Sequence, residues 1–501
     1  MTQPSILYAL FLALLFPAYW LLPIQKLDQP QPKQSLRLWV ILLASLFFYA
    51  SLLTADYIPL LLILTAMNFF IGKALSAPVN RPILDNACQS AQANRTTHKT
   101  QVLALGISLN LLLLLSFKYV SPSLSALGFE QLAVGPVAAL AMPLGLSFFT
   151  FECIAYLVDV YRGLPACQSW LEFAAYKLFF PKLVSGPITR FHSFSNQLKS
   201  LSFPSLDRNI EGLWLIASGA VKKLVIADNI GQLVDISAES LSRAGSGDIW
   251  LLAFAYGLQL YFDFSGYVDV ARGSALLLGF NLPQNFNFPY FALSITDFWQ
   301  RWHITLGAWL RNYLYFPLGG SRRGLTRTCF NLMVVMLIAG AWHGDRWGFV
   351  VWGAIHGLAL IVHRLNRAVC DRASWLQAFW QSTPGVVIAW IITQFTVFFS
   401  WIFFRFPNLT DASLAIQRLF GHRADIQFAQ KVYLDSTGLN RSQLLLLLSS
   451  LAIAIGIAYL IHQGLKLQIS WPVKVLLLPL CGFFAWILAP DMALPFIYFD
   501  F

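Results

Sequence analysis

A chain of 501 residues with 57% hydrophobic side chains, only 11% charged ones and a mean hydropathy of +0.62 has too few polar groups to cover a water-soluble globule of its size. The formal net charge of +11 needs no nucleic-acid partner, because cations retained on cytoplasmic loops and drawn to anionic lipid account for it. Soluble enzymes and nucleic-acid binders are excluded, and an all-α polytopic membrane protein is expected, with residues 1–501 forming one membrane-embedded domain.

In chain order, the apolar runs are 6–22, 39–53, 58–71, 102–117, 137–158, 212–226, 249–262, 330–342, 349–362, 386–404, 444–461 and 473–488. At roughly 20 residues per crossing they predict about eleven transmembrane helices, the shorter runs being candidates for re-entrant or interfacial helices around a central tunnel. The first run has no basic residues before it and no small-residue cleavage site after it, so it reads as a retained helix rather than an export signal. Lys26, Lys33 and Arg37 follow the first run, and Lys73, Arg81, Arg95 and Lys99 follow the third, whereas the 53–57 turn and the 121–131 loop carry no such excess. Positive charge marks the cytoplasmic side, which places the N-terminus outside. The stretch up to residue 118 is thus a set of plain N-terminal helices.

The middle, residues 143–363, is where polar groups interrupt apolar surroundings. The runs P-L-G-L-S-F-F-T-F-E, P-K-L-V-S-G-P-I-T-R and Y-F-D-F-S-G-Y-V-D-V-A-R-G set Glu152, Asp159, Lys182, Arg190, Asp263, Asp269 and Arg272 beside helix-breaking glycines and prolines. Broken backbone at membrane depth survives only when buried in protein or lining a wet cavity, so Asp263, Ser265 and Asp269 are candidate tunnel-lining residues. Over 295–315 the spacing predicts one amphipathic helix. Asp297, Arg301, Thr305, Ala308 and Asn312 form its polar face, while Trp299, His303, Leu306 and Leu310 form the other, with Pro317, Gly319 and Gly320 ending it. Arg301, Trp302, Arg311 and Asn312 join the lining candidates, and the His303 imidazole points with the apolar stripe.

His343 stands in G-A-W-H-G, flanked by Trp342 and Trp347 and surrounded by Gly340, Gly344 and Gly348. Glycine at that spacing is expected to let a substrate approach the backbone closely. A neutral imidazole there is suited to taking a proton from a hydroxyl, and titratable side chains at membrane depth are functional candidates by default. Trp342 completes the lining set. His356 and His363, about two helical turns apart, share a face and read as packing and snorkelling groups rather than metal ligands. The remainder, 364–501, is again mostly apolar helix. Six scattered cysteines without metal spacing read as small hydrophobes, so neither disulfides nor a metal site is expected. The two halves do not mirror each other as an inverted-repeat transporter's would. A hydrolase triad of Ser265, His303 and Asp263 lacks the G-x-S-x-G elbow.

The run Y-F-D-F-S-G-Y-V-D-V-A-R-G-S-A-L-L-L-G-F-N-L-P-Q-N-F-N-F-P-Y, followed by R-W-H-I-T-L-G-A-W-L-R-N-Y-L-Y-F-P-L-G-G, resembles the membrane-bound O-acyltransferase family in its bacterial alginate O-acetylase branch. The segments F-F-P-K-L-V-S-G-P-I-T-R-F, A-V-K-K-L-V-I-A-D-N-I and S-W-I-F-F-R-F and the closing F-I-Y-F-D-F extend the resemblance over nearly the whole chain. It implies an inner-membrane enzyme that moves an acetyl group from a cytoplasmic donor, acetyl-CoA or another acyl thioester, toward hydroxyls of an exported polysaccharide such as alginate. No bound cofactor or metal is implied. The family's two histidines match His303 and His343, one acting as general base or acyl-handling group and the other in support, with the division of roles open. A periplasmic protein that completes transfer to the polymer is also implied. D-alanyl transfer to teichoic acid and acylation of peptidoglycan or cellulose are alternatives within the family, and a multi-pass transporter is the alternative outside it. One departure is Asp345 and Arg346 after W-H-G, where the family often has small residues; they alter the acceptor side or form a local ion pair.

Overall fold

The computed structural model describes residues 3–22, 32–52, 55–76, 88–126, 142–435, 437–490 and 494–497. The loop cations Lys26 and Arg81 and loop positions 127–131 lie outside the described residues, as do the side chains of Lys33, Cys88 and Arg95. Among the described residues every regular element is a helix and none is a strand. Six helices among the described residues are long and apolar enough to cross a bilayer: Ala55–Ser76, Thr97–Val120, Gly324–His343, Trp347–Cys370, Thr383–Arg405 and Arg441–Gly464. Three shorter apolar helices, Ile6–Trp20, Leu36–Ser51 and Trp471–Ile487, accompany them. The protein is therefore a multi-pass membrane protein, and among the described residues its spans are all helices, as backbone hydrogen bonding in hydrocarbon requires. The apolar run 249–262 is embedded in a 32-residue helix, Ser246–Leu277, which carries Asp263, Asp269 and Arg272 in its second half.

Contacts divide the chain into two compact units, Ile6–Gly212 with Ala271–Pro283, and Leu213–Val270 with Gln284–Phe501. In the first, Asn68 and Asn110 exchange side-chain hydrogen bonds of 2.8 and 3.2 Å between neighbouring apolar helices, the kind of polar glue that replaces hydrophobic drive in lipid. Its charged centre is Glu152, whose carboxylate meets Lys182 Nζ at 2.5 Å and Lys177 Nζ at 3.1 Å and accepts the Thr189 amide at 3.0 Å. All three charged side chains are buried. This pairing neutralises one cation, and Lys177 donates in addition to the Phe149 carbonyl at 2.9 Å, so these charges tie elements together.

The second unit holds both histidines singled out above. Its central feature is a helix hairpin, Gly324–His343 and Trp347–Cys370, joined by three residues. A Cβ on Gly340 would lie 2.3 Å from the Phe349 carbonyl oxygen, and one on Gly353 would lie 2.4 Å from the Met336 oxygen. The two backbones therefore meet directly, as small residues permit between membrane helices. The Thr383–Arg405 helix joins the hairpin through Ser400, whose Oγ lies 2.9 Å from His356 Nε2. The loop that enters the His303 region is fastened at several points: Tyr290 donates to the Gly257 carbonyl at 2.6 Å, Trp390 Nε1 to the Tyr290 carbonyl at 3.0 Å, and Gln394 to the Ala292 carbonyl at 3.0 Å.

Candidate active site

His303 does not sit within a continuous helix. The single helix expected over 295–315 is two short ones, Ile295–Arg301 and Ile304–Leu310, followed by a π-helical turn, Arg311–Tyr315. Between them Trp302 is extended and His303 takes the left-handed conformation, φ 43° and ψ 54°. A non-glycine residue held there costs about 1–3 kcal/mol and persists only when its surroundings over-determine it. The surroundings are visible. Asn285 accepts the Ile304 amide on its backbone oxygen at 3.0 Å, and its Oδ1 accepts both the Thr305 amide at 3.0 Å and the Thr305 hydroxyl at 2.9 Å. Asn287 N–H bonds to the Arg301 carbonyl at 2.9 Å. Asn285 thus caps the second helix through Thr305, 20 residues downstream of it, and Ser294 caps the first by accepting from Asp297 N–H at 3.1 Å. The amphipathic stripe is real residue by residue, but no single helical face carries it through position 302.

The break turns His303 inward. It is wholly buried, with the edge of its ring pair against Phe264 at a centroid distance of 4.8 Å and 79°. Trp302 is buried among Phe298, Phe286 and Trp401, at 5.7, 5.1 and 5.2 Å. Arg301 folds back on Asp297 at 2.7 Å, Arg311 is exposed and Asn312 half-buried. Asp263 and Asp269 do not converge on one point. Asp263 pairs with Lys223 at 2.5 Å and accepts the Ile497 amide at 3.1 Å, while Asp269 pairs with Lys222 at 2.5 Å. With both its oxygens so engaged, Asp263 is spent on structure rather than on orienting an imidazole, which removes the paper triad with buried Ser265.

His343 is the last residue of its helix and 3% exposed. Aromatic rings surround it: Trp342 at 4.6 Å, Phe404 at 4.9 Å, and Trp352 edge-on at 5.1 Å. The sequence assigns the space beside Gly340, Gly344 and Gly348 to a substrate; the structure fills it with protein. A Cβ on Gly344 would lie 2.3 Å from the Phe349 ring, and one on Gly348 would lie 2.6 Å from Pro407 Cα, with the Gly348 amide donating to the Pro407 carbonyl at 2.9 Å. These glycines allow the hairpin to close so that His343 is boxed by rings. Spacing alone cannot tell a backbone that meets a ligand from one that meets another helix.

A relay of ring contacts connects the two imidazoles through one aromatic wall. His303 meets Phe264, Phe264 meets Phe286, Phe286 meets Trp302, Trp302 touches Trp401, Trp401 lies 6.1 Å from Trp352, and Trp352 meets His343. His356, read from sequence as packing, is buried in that wall, 4.8 Å from Trp352 and 5.4 Å from Trp299, with Ser400 on its Nε2. Asn285 is the residue that sequence reasoning missed. Its one signal is an asparagine between two prolines just ahead of a histidine-bearing helix. Next to the His343 end, an open cavity of about 660 Å³ is lined by Glu239, Arg346, Arg405, Asn408 and Asp411 among others. Asp345 lies 3.8 Å from Arg346, whose side chain is largely exposed, so that pair holds little and Arg346 faces the cavity.

A family model for membrane-bound O-acyltransferases matches residues 45–403. The chain belongs to the membrane-bound O-acyltransferase family. It is an acyltransferase and uses an acyl donor. It is 37% identical over 410 residues to a probable alginate O-acetylase of Azotobacter vinelandii, covering 80% of this chain and 74% of the relative. It is 35% identical over 445 residues to a peptidoglycan O-acetyltransferase of Helicobacter pylori, covering 83% and 79%. A teichoic acid D-alanyltransferase of Streptococcus thermophilus is 28% identical over 235 residues, covering 44% and 56%. The residues matched by the family model take in both His303 and His343.

Proposed function

We propose that this acyltransferase carries acetyl groups from a cytoplasmic thioester, acetyl-CoA or a carrier-bound equivalent, to hydroxyls of an exported polysaccharide, alginate or a similar polymer, with His303 and His343 as its catalytic residues. The observation that carries this reading is the pair of buried imidazoles set in one aromatic wall, one of them held in a strained backbone conformation by a dedicated asparagine. Strain of that kind collects at functional sites. The likeness to O-acetylases over about four-fifths of the chain supports acetyl over D-alanyl, which rests on weaker matches over about half of it.

In chemical terms, a neutral imidazole accepts the proton of the acceptor hydroxyl as its oxygen bonds to the thioester carbonyl carbon. The carbon–sulfur bond then breaks, and the thiolate leaves and takes up a proton. In this reading His343 serves as the base and His303 attends the donor. The rings around them, Trp302 and Trp342 among these, exclude the water that would otherwise hydrolyse the donor. Arg322, Arg323 and Arg327 precede or begin the Gly324–His343 helix, and Arg364, Arg367 and Arg372 close the next one. By the positive-inside rule those ends are cytoplasmic. His343 and the 660 Å³ cavity beside Arg346 then belong to the outer side, where the acceptor or a periplasmic partner protein arrives. The enzyme resides in the inner membrane with its N-terminus outside.

The test is label transfer from acetyl-CoA into base-labile polymer esters by membranes carrying the protein. His303→Ala and His343→Ala should each abolish transfer at normal abundance; ester formation retained in both would reject the assignment. D-alanine in place of acetate in the polymer esters would select the second reading.

A further inference from the structure

The segment 494–497 is fixed in the second unit by contacts that serve no span. Lys223, in the π-helical stretch Val221–Ala227, bonds to the Leu494 carbonyl at 3.2 Å and the Pro495 carbonyl at 3.4 Å. The Ile497 amide donates to Asp263 Oδ2 at 3.1 Å, and Lys223 joins Asp263 at 2.5 Å, so one ion pair grips both ends of the segment. Lys223 is shared with Asp228 at 2.7 Å. Gly231 leaves the room: a Cβ there would lie 2.4 Å from Leu494 Cδ1. Between the two grips Phe496 is 5% exposed, stacked on Tyr267 at 4.5 Å and 25°, and packed on Phe264 at 5.9 Å. Phe264 in turn meets the His303 imidazole at 4.8 Å and Phe286 at 5.0 Å.

We propose that Phe496, clamped by Lys223 and Asp263, is a positioning residue for His303. It backs Phe264 against the imidazole and seals that side of the site from water. The inference rests on the acyl-transfer reading and adds to it a residue and an ion pair far from either histidine in sequence. A buried ion pair costs desolvation that an apolar pair would not; here its oxygens and ammonium also take backbone groups of residues 494, 495 and 497, groups that are costly to leave unsatisfied.

The discriminating readout is the partition of donor between water and acceptor. Membranes carrying the full chain receive acetyl-labelled coenzyme A, and released acetate is counted against label in polymer esters. Attack by water gives acetate and the free thiol, whereas attack by the acceptor hydroxyl gives the ester and the same thiol, so the ratio reports access of water to the reacting carbonyl. Phe496→Ala should raise acetate per ester by about tenfold at unchanged donor KM. Asp263→Asn, which keeps an acceptor for Ile497 N–H and leaves Lys223 with Asp228, should raise it less. Phe496→Tyr keeps the stacked ring and should hold the ratio near wild type. A wild-type ratio in Phe496→Ala overturns the proposal whatever total turnover does, as does a ratio raised equally in Phe496→Tyr. Wild-type membranes that neither form esters nor release acetate above membranes lacking the protein would instead remove the acyl-transfer reading, and this inference with it.

Discussion

His303 and His343 are buried to nearly the same degree by opposite means. His303 is held by its backbone, which takes a left-handed turn between two short helices while Asn285 gathers the amides and hydroxyl that the break leaves over. His343 is held by packing, at the end of an unbroken helix whose glycines let a second helix close until rings cover the imidazole. The first arrangement fixes the direction of a ring through hydrogen bonds and tolerates little change in chemistry. The second fixes it through shape and tolerates little change in volume. The proposed acyl transfer, which needs a site that stays dry while guiding a proton, has use for both.

The contrast can be broken at its centre. His303→Asn keeps a residue at ease in the left-handed region, so the fold should persist while ester formation falls about a hundredfold or more, the scale of a lost acid–base group; comparing its abundance and transfer with those of His343→Ala separates chemistry from backbone. Next in size is Gly340→Ala. The new methyl meets a backbone carbonyl that cannot rotate away, and overpacking of this kind costs about 1–3 kcal/mol. The expected result is a lower thermal midpoint in detergent and less protein in the membrane, with no counterpart on the His303 side.

Asn285→Ala tests that side. It strands the Thr305 amide and hydroxyl in a buried place, at a cost of about 1–3 kcal/mol, and releases the turn. Transfer per molecule should then drop about tenfold even though both histidines remain, whereas unchanged transfer would mean that the strained turn is incidental. The smallest effect is expected from Ser400→Ala, which removes one hydrogen bond from His356, worth about 1 kcal/mol. A modest loss of stability with near-normal transfer would mark His356 as a support of the wall, and a loss of transfer as large as that of His343→Ala would move it into the chemistry.

Composition and periodicity made the architecture legible: a helical, multi-pass protein follows from how few charges the chain carries and how long its apolar runs are. The sequence also singled out His303 and His343 by their tryptophan and glycine neighbours, and the structure buries both. The break at His303 was hidden, since side-chain spacing across 295–315 is helical throughout and the cause of the break lies at Asn285. The use of Gly340, Gly344 and Gly348 was equally hidden, as a bare backbone looks the same to a ligand and to Phe349 or Pro407.

Local chemistry in the sequence determined what each segment could be, because hydropathy and helical propensity act between near neighbours and leave their mark in order along the chain. Only the tertiary structure decided which buried polar groups answer one another: Asn285 with the turn at His303, Lys223 and Asp263 with residues 494–497. Those pairings form when separated segments lose water together, and separation along the chain says nothing about which of them will meet.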